Sequence, residues 1–208
     1  MFPAEILDRL GADELRAHFR NAVIGREMVV LEQTGSTNDA ILQGATANSK
    51  EGLVLFAERQ TAGRGQRGRR WESAAGKGLW FSILLRPRID IASSPRLTAW
   101  AAEAISGAIQ QEFSISPTIK LPNDVQIEGR KVAGVLVEMR AQEKATHLAI
   151  VGIGVNVNQS CADFPRELQS RAISLAMALD RQVDRQKFAI ALLRNLDQTY
   201  RAQFARDS

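Results

Sequence analysis

The sequence predicts a single α/β domain in which a mixed sheet is flanked by at least three helices. The chain has 208 residues, of which 45% are hydrophobic and 24% charged, as in ordinary globular proteins. Short apolar runs typical of strands alternate with segments whose apolar residues recur at helical spacing. The length suits one domain with one core, and neither an internal repeat nor a linker divides it.

The helices are predicted where apolar residues recur every three or four positions along an otherwise polar segment. The second follows a Ser-Thr turn that can cap it, and the third starts at Pro95, a residue favoured in the first helical turn. In chain order, we expect helices at residues 5–19, 38–45, 95–113 and 183–205.

The strands are predicted from short runs of β-branched and other apolar residues that are bounded by turns. The clearest turn is Glu128-Gly129-Arg130, which separates two of them. In chain order, we expect strands at residues 28–31, 53–57, 79–85, 118–121, 125–127, 131–140 and 147–155.

Composition excludes several classes of protein. No apolar run approaches the ~18 residues of a membrane-spanning helix, and the first ten residues lack the apolar stretch of a signal peptide. One cysteine, Cys161, cannot form an internal disulfide, and with two histidines it makes too small a set for the usual zinc sites. We therefore expect a cytoplasmic protein with no membrane partner.

The positive charge is concentrated in residues 59–70, called the arginine loop below. This segment holds five arginines and no acid, whereas the rest of the chain has 22 basic and 23 acidic residues. A general nucleic-acid-binding protein more often spreads its charge over a face. A single charged loop instead suits one compact anion such as a nucleotide phosphate, because arginine offers planar donor forks. A solvated basic loop is the alternative.

The arginine loop contains a formal dinucleotide-binding pattern at residues 63–68, Gly-Arg-Gly-Gln-Arg-Gly. No helical period follows it, so the dinucleotide interpretation is weak. Gly76-Lys77 is followed by Gly78 rather than Ser or Thr, which also excludes a Walker-type phosphate loop. The glycines instead let backbone amides approach a ligand, and Trp71 offers a stacking face for a flat ring.

Three further segments are candidates for chemistry. Lys131 opens an apolar strand, and it is either aimed at a reacting phosphate or an ordinary strand-end lysine in solvent. Asn123 and Asp124 form either part of a Mg²⁺ site beside a nucleotide or an Asn-Asp turn after a proline. Residues 151–158 contain two glycines within a strand, which often mark the close approach of a ligand.

Taken in order, five segments resemble the motifs of biotin protein ligases, the catalytic domain shared with the bifunctional biotin repressor. Five motifs in family order are far more specific than any one alone, and the resemblance covers about residues 25–206. The motifs are Ser36-Thr37-Asn38, residues 60–71, the Lys-Leu-Pro-Asn-Asp segment 120–124, the Lys-Val-Ala-Gly-Val-Leu-Val-Glu segment 131–138, and Gly152-Ile153-Gly154-Val155-Asn156.

The resemblance implies a mixed sheet related to class II aminoacyl-tRNA synthetases and a two-step reaction. Biotin and Mg²⁺-ATP would give biotinyl-AMP, and a lysine of a biotin carboxyl carrier protein would then take the biotin. By the family motifs, Lys131 and Arg64 would be catalytic; Ser36, Thr37, Asn38, Gln60, Arg64, Gly65, Gln66 and Lys131 would bind biotin; Arg67, Arg69, Trp71, Lys120, Asn123 and Asn156 would bind ATP; and Asp124 would hold the metal.

Two residues depart from the family pattern, since Gln66 replaces an Arg and Leu121 replaces a Trp. Gln66 keeps hydrogen bonding but loses a charge near the phosphoryl group, so we expect weaker retention of biotinyl-AMP. We expect residues 1–208 to be a single catalytic domain, without the N-terminal DNA-binding domain and the small C-terminal domain of the family. A homodimer is left open.

Two other functions are kept as alternatives. A lipoate ligase or octanoyl transferase would use the same scaffold, and the transferase would pair Cys161 with Lys131, whereas the arginine loop and Trp71 favour an adenylate. The other alternative is a non-enzymatic DNA-binding regulator. DNA attracted only by the arginine loop should dissociate as salt is added, so no specific DNA partner is expected.

Overall fold

A computed structural model describes residues 9–45, 49–141 and 147–204 of the chain. Over these ranges, seven strands form one sheet in the order β1-β2-β3-β7-β6-β5-β4. The strands are β1 Glu27–Thr34, β2 Leu53–Gln60, β3 Gly78–Leu85, β4 Thr118–Lys120, β5 Asp124–Ile127, β6 Arg130–Arg140 and β7 Leu148–Asn156. The α-helices are α1 Ala12–Ala17, α2 Thr37–Gly44, α3 Ser94–Phe113, α4 Leu175–Leu179 and α5 Arg185–Gln203. None of the helices in the described ranges is both long and apolar enough to cross a membrane.

The sheet is mixed, which confirms the predicted fold class. β1 lies parallel to β2, and every other neighbouring pair of strands is antiparallel. β5 and β6 are joined by a tight turn at Glu128 and Gly129, whose φ angles of 52° and 73° are both positive. Such a turn matches the twist of the two strands that it connects.

The two faces of the sheet are covered by different helices. On one face, α3 and α5 pack over alternate residues of the central strands, among them Phe56, Phe81 and Ile153. On the other face, α2 packs over intervening residues, among them Leu84 and Ile150. Because successive side chains of a strand point to opposite faces, each central strand contributes both to the main core and to the α2 face, where the cleft described below opens.

The structure departs from the sequence prediction mainly at the ends of elements. The helix predicted at residues 5–19 is found at Ala12–Ala17, and residues 5–8 lie outside the described ranges. β1 and β2 extend beyond their predicted ends because their polar residues pair with each other, Thr34 with Gln60. α4 has no counterpart in the prediction, since its five residues are too few to show a helical period.

Candidate active site

A cleft of about 440 Å³, partly open to solvent, lies on the α2 face of the sheet. Its walls come from the turn before α2, the arginine loop, and segments of β6 and β7. Ten of the predicted site residues line it: Ser36, Thr37, Asn38, Gln60, Arg64, Gly65, Gln66, Trp71, Asn123 and Lys131. Arg64 and Lys131 therefore share one cavity.

Three glycines form the floor of the cleft, where β6 and β7 pair Gly134 with Gly154. A Cβ on Gly154 would lie 2.5 Å from the Trp71 ring, and one on Gly152 would lie 2.2 Å from Asn38 Oδ1. Neither contact is tolerated without movement, so glycine is required at these strand positions for close approach. The floor thus lets the indole ring and the Asn38 amide lie directly on the sheet.

The Ser-Thr-Asn turn that leads into α2 is held by hydrogen bonds. Gln60 Oε1, at the end of β2, accepts from the Thr37 amide at 2.9 Å and from the Thr37 hydroxyl at 3.1 Å. The fully buried Ser82 hydroxyl donates to Asn38 Oδ1 at 2.6 Å and lies 2.7 Å from the Thr37 hydroxyl. Ser36 is the N-cap residue, yet its side chain makes no capping bond to the helix. The turn therefore presents polar groups to the cleft in a fixed arrangement.

The arginine loop folds back on itself as a short hairpin. The Gly65 amide donates to the Arg69 carbonyl at 2.7 Å, and the Trp71 amide donates to the Gly63 carbonyl at 2.9 Å. The tip is a 3-10 turn in which Arg67 has a positive φ of 58°. The hairpin gives the loop a defined backbone over the cleft.

Two carboxylates of the protein hold the Arg64 guanidinium. Nη1 donates to Glu138 Oε1 at 3.0 Å, and Nη2 donates to Glu138 Oε2 at 2.8 Å. Nη2 also donates to Asp39 Oδ1 at 2.7 Å. The hydrogen bonds to Glu138 are the main reason why the pKa of Arg64 is raised above its ordinary value, and the charge of Asp39 adds to the effect. The arginine loop is thereby tied to both β6 and α2.

A β-bulge directs Lys131 towards the cleft. Val132 and Ala133 are consecutive in β6, yet both belong to the core on the α3 face, which a regular strand does not allow. The register against β5 shifts at this point, since Ala133 pairs with Val125 whereas Lys131 pairs with Gln126. The extra residue re-aims the side chain that precedes it. Without the bulge, strand alternation would direct Lys131 into the core.

The Lys131 side chain is partly exposed and contacts an acid and an aromatic ring. Nζ lies 2.5 Å from Asp124 Oδ1 and 5.1 Å from the centre of the Trp71 ring. The buried Nε1 of Trp71 has no hydrogen-bond partner among the described residues, which is uncommon for a buried donor. The donor that this end of the cleft offers to a bound ligand is therefore the Lys131 ammonium, since the indole N–H packs against the glycine floor.

A resident metal centre is not evident around these residues. The described ranges contain no group of three or more His, Cys, Asp or Glu side chains that could hold a metal ion. Asp124, the predicted metal ligand, is paired with Lys131. Because Mg²⁺ commonly uses one or two carboxylates together with substrate phosphates, Asp124 fits an ion that arrives with a nucleotide.

Four predicted ATP-binding residues do not line the cleft. Arg67, Arg69 and Lys120 are exposed and lie outside its lining. Asn156 is buried, and its amide donates to the carbonyls of Lys131 at 3.3 Å and Ile173 at 3.2 Å. Asn156 thus holds the backbone at Lys131, and a direct contact of these four residues with ATP remains a prediction.

Three residues join the site without having been assigned a role from the sequence: Ser82, Asp39 and Glu138. Ser82 carries a usable signal, because it is the one polar residue in the apolar strand 79–85. Glu138 ends the 131–138 motif, and Asp39 directly follows the Ser-Thr-Asn turn. Glu138 and Asp39 share Arg64 as a partner, which is 74 positions from Glu138 and 25 positions from Asp39. Only the fold therefore reveals that these residues form a cluster.

A family model described as the biotin/lipoate A/B protein ligase family matches residues 30–156, which contain all five motifs. The chain belongs to this family. The resemblance to biotin protein ligases that the motifs indicate is therefore confirmed, and the matched region includes every residue that lines the cleft.

The proteins to which the chain is similar include named biotin ligases and solved structures of biotin protein ligases. The chain is 38% identical to the bifunctional ligase/repressor BirA of Bacillus subtilis over 93% of its own length, and it spans 59% of that protein. It is 33% identical to the biotin–[acetyl-CoA-carboxylase] ligase of Mycobacterium tuberculosis, with 91% of this chain and 72% of that protein covered. The biotin protein ligase from Aquifex aeolicus in complex with biotin and ATP superposes with a TM-score of 0.73 at 31% identity, covering 86% of this chain and 73% of that one.

Proposed function

We propose that this protein attaches biotin to a lysine of a biotin carboxyl carrier protein, in an ATP-dependent reaction that passes through biotinyl-AMP. The observation that carries the proposal is the shared cleft, since all eight residues assigned to biotin line it. The names of the relatives support it, because a ligase of this kind is similar over most of the chain.

The ureido ring of biotin would bind beside the Ser-Thr-Asn turn. This ring has one carbonyl acceptor and two N–H donors, and each needs a partner once it leaves water. Hydroxyl groups of Ser36 and Thr37 and the amide of Gln60 supply both donors and acceptors. Leu136 lines the same cleft and would provide an apolar contact for the aliphatic part of the ligand.

In the first step, a carboxylate oxygen of biotin attacks the α-phosphorus of ATP, and the bond to the pyrophosphate leaving group breaks. Both reactants are anions, so their approach requires positive charge where they meet. The Lys131 ammonium would supply that charge, with Asp124 as its partner until substrate binds. Fixed charges of this kind contribute about 10²–10³-fold to the rate in other enzymes.

In the second step, the amine nitrogen of the carrier lysine attacks the acyl carbon, AMP leaves, and the amine loses a proton to solvent. Water that reached the adenylate earlier would hydrolyse it, so the arginine loop would exclude water between the steps. Trp71, which lies on the glycine floor, would offer its ring to adenine. Mg²⁺ would arrive with ATP beside Asp124.

Cysteine-dependent octanoyl transfer has less support. Cys161 is exposed in a 3-10 turn that follows β7, and it does not line the cleft that Lys131 lines. A lipoate ligase would differ mainly in the acid that it accepts. The single-domain organisation, the cytoplasmic location and the lack of specific DNA binding remain predictions, and the oligomeric state is left open.

Exchange of labelled pyrophosphate into ATP, measured with biotin, lipoate and octanoate side by side, tests the proposal. We expect exchange with biotin to exceed that with either other acid by at least about 100-fold, because buried polar groups left unpaired reject an apolar analogue. A reaction without any acid is the control. Exchange that prefers lipoate, or no exchange with any acid, would contradict the proposed function.

A further inference from the structure

Among the described residues, the arginine loop forms ion pairs with acidic groups through Arg64 and Arg70. Arg64 forms a two-pronged pair with Glu138 and a further bond to Asp39, at donor–acceptor distances of 2.7–3.0 Å. By contrast, Arg70 pairs with Glu72, which is two residues away in its own segment. Arg64 thus connects the part of the loop beyond Ala62 to β6 and to α2 through ion pairs.

We propose that Glu138 and Asp39 are positioning residues that clamp the arginine loop over the cleft through Arg64 before any substrate binds. This inference rests on the proposed function only in that biotin is taken as the ligand of the cleft; the contacts themselves do not depend on it. It assigns Arg64 to holding the loop, whereas the family resemblance would give it a direct contact with substrate.

The charges of the cluster support this assignment. Two carboxylates surround one guanidinium, so the positive charge of Arg64 is already offset within the protein. An incoming carboxylate or phosphate would meet Glu138 and Asp39 as well as Arg64, and the like charges repel. Attraction of the substrate anions is therefore left mainly to Lys131, which pairs with one carboxylate among the described residues, that of Asp124.

Glu138 also links the loop to the turn that would bind biotin. Its Oε2 accepts from Arg64 Nη2 at 2.8 Å and from Asn38 Nδ2 at 2.6 Å. The Asn38 amide is held in turn by the buried Ser82 hydroxyl. The Glu138 carboxylate thus holds both the arginine loop and the Ser-Thr-Asn turn. A substitution of Glu138 would therefore loosen both of these walls of the cleft.

Hydrogen exchange of backbone amides in the ligand-free protein tests the clamp. The informative amides are those of Gly65 and Trp71, which close the hairpin of the loop. We expect Glu138→Gln to speed their exchange about 2- to 5-fold, because partly exposed ion pairs contribute at most about 1 kcal/mol. Asp39→Asn should have a smaller effect, because it removes one bond rather than two. Glu103→Gln, on the exposed side of α3, is the matched control and should change nothing.

A double-mutant cycle separates the clamp from a general structural role. Arg64→Ala should speed loop exchange at least as much as Glu138→Gln, because it also loses the bond to Asp39. The double variant should exchange no faster than Arg64→Ala alone. The clamp would be overturned if loop exchange were unchanged in both Glu138→Gln and Asp39→Asn. It would also be overturned if the effects of Arg64→Ala and Glu138→Gln added in the double variant. Because these measurements contain no ligand, they can fail while biotin-dependent exchange of pyrophosphate succeeds, and the reverse also holds.

Discussion

Lys131 contributes an ammonium group to the cleft, and two neighbouring side chains hold that group in position. Nζ has a carboxylate partner at 2.5 Å and an aromatic face at 5.1 Å. Both contacts are attractive for an ammonium and hold Nζ at the edge of the cleft. An ammonium carries three donors, so the bond to Asp124 leaves others for substrate oxygens.

Gln66 stands where the family pattern has an Arg, and we expect this difference to affect how long the enzyme retains biotinyl-AMP. Gln66 lines the cleft. Under the proposed function, an added guanidinium at this position would lie near the phosphoryl group of the adenylate. We expect Gln66→Arg to slow the release of biotinyl-AMP about tenfold, because a hydrogen bond to a charged group contributes about 1.5–3 kcal/mol. Retention of labelled adenylate by the isolated enzyme measures this. Gln111→Arg, exposed on α3, is the control, and equal retention by all three proteins would contradict the expectation.

At the scale of elements, the position of β6 can be predicted from the sequence, but its β-bulge cannot. The apolar run predicts a strand at residues 131–140, and the structure has β6 at Arg130–Arg140. Strict alternation counted back from Ala133 would bury Lys131, and no local pattern reveals the bulge. The bulge depends on the register against β5, which is set by pairing between strands.

The glycine floor formed by β6 and β7 leads to a testable prediction about the Trp71 ring. Gly154→Ala would place a methyl group against the Trp71 ring and force the ring to move. Since overpacking costs about 1–3 kcal/mol, we expect the KM for ATP to rise about tenfold while the protein stays folded. Steady-state kinetics and a thermal melt measure both quantities.

Gly44→Ala is the matched control for this prediction. Gly44 is the last residue of α2, and a Cβ there would meet nothing within 4 Å. Alanine at this position should leave the KM for ATP unchanged. A Gly154→Ala protein with the KM of the wild type would show that the ring does not need the floor.

At the scale of the whole molecule, the sequence predicts which elements form but not how they are arranged. All seven strands occur near their predicted positions, because each apolar run is a local signal. The sheet order is non-local: β3 pairs with β7, which is the last strand in the chain. The same holds for the site, where motifs identify Ser36 and Gln60 but only the folded sheet brings Ser82 and Glu138 to them.

The central claim is that Lys131 supplies the positive charge for activation within this one cleft. Biotin-dependent exchange of pyrophosphate into ATP by Lys131→Ala tests it most directly, beside Lys187→Ala, an exposed lysine of α5. We expect Lys131→Ala to lower the exchange rate by about 10²–10³-fold at an unchanged melting temperature, and Lys187→Ala to match the wild type. A folded Lys131→Ala protein that exchanges pyrophosphate at the rate of the wild type would contradict the account.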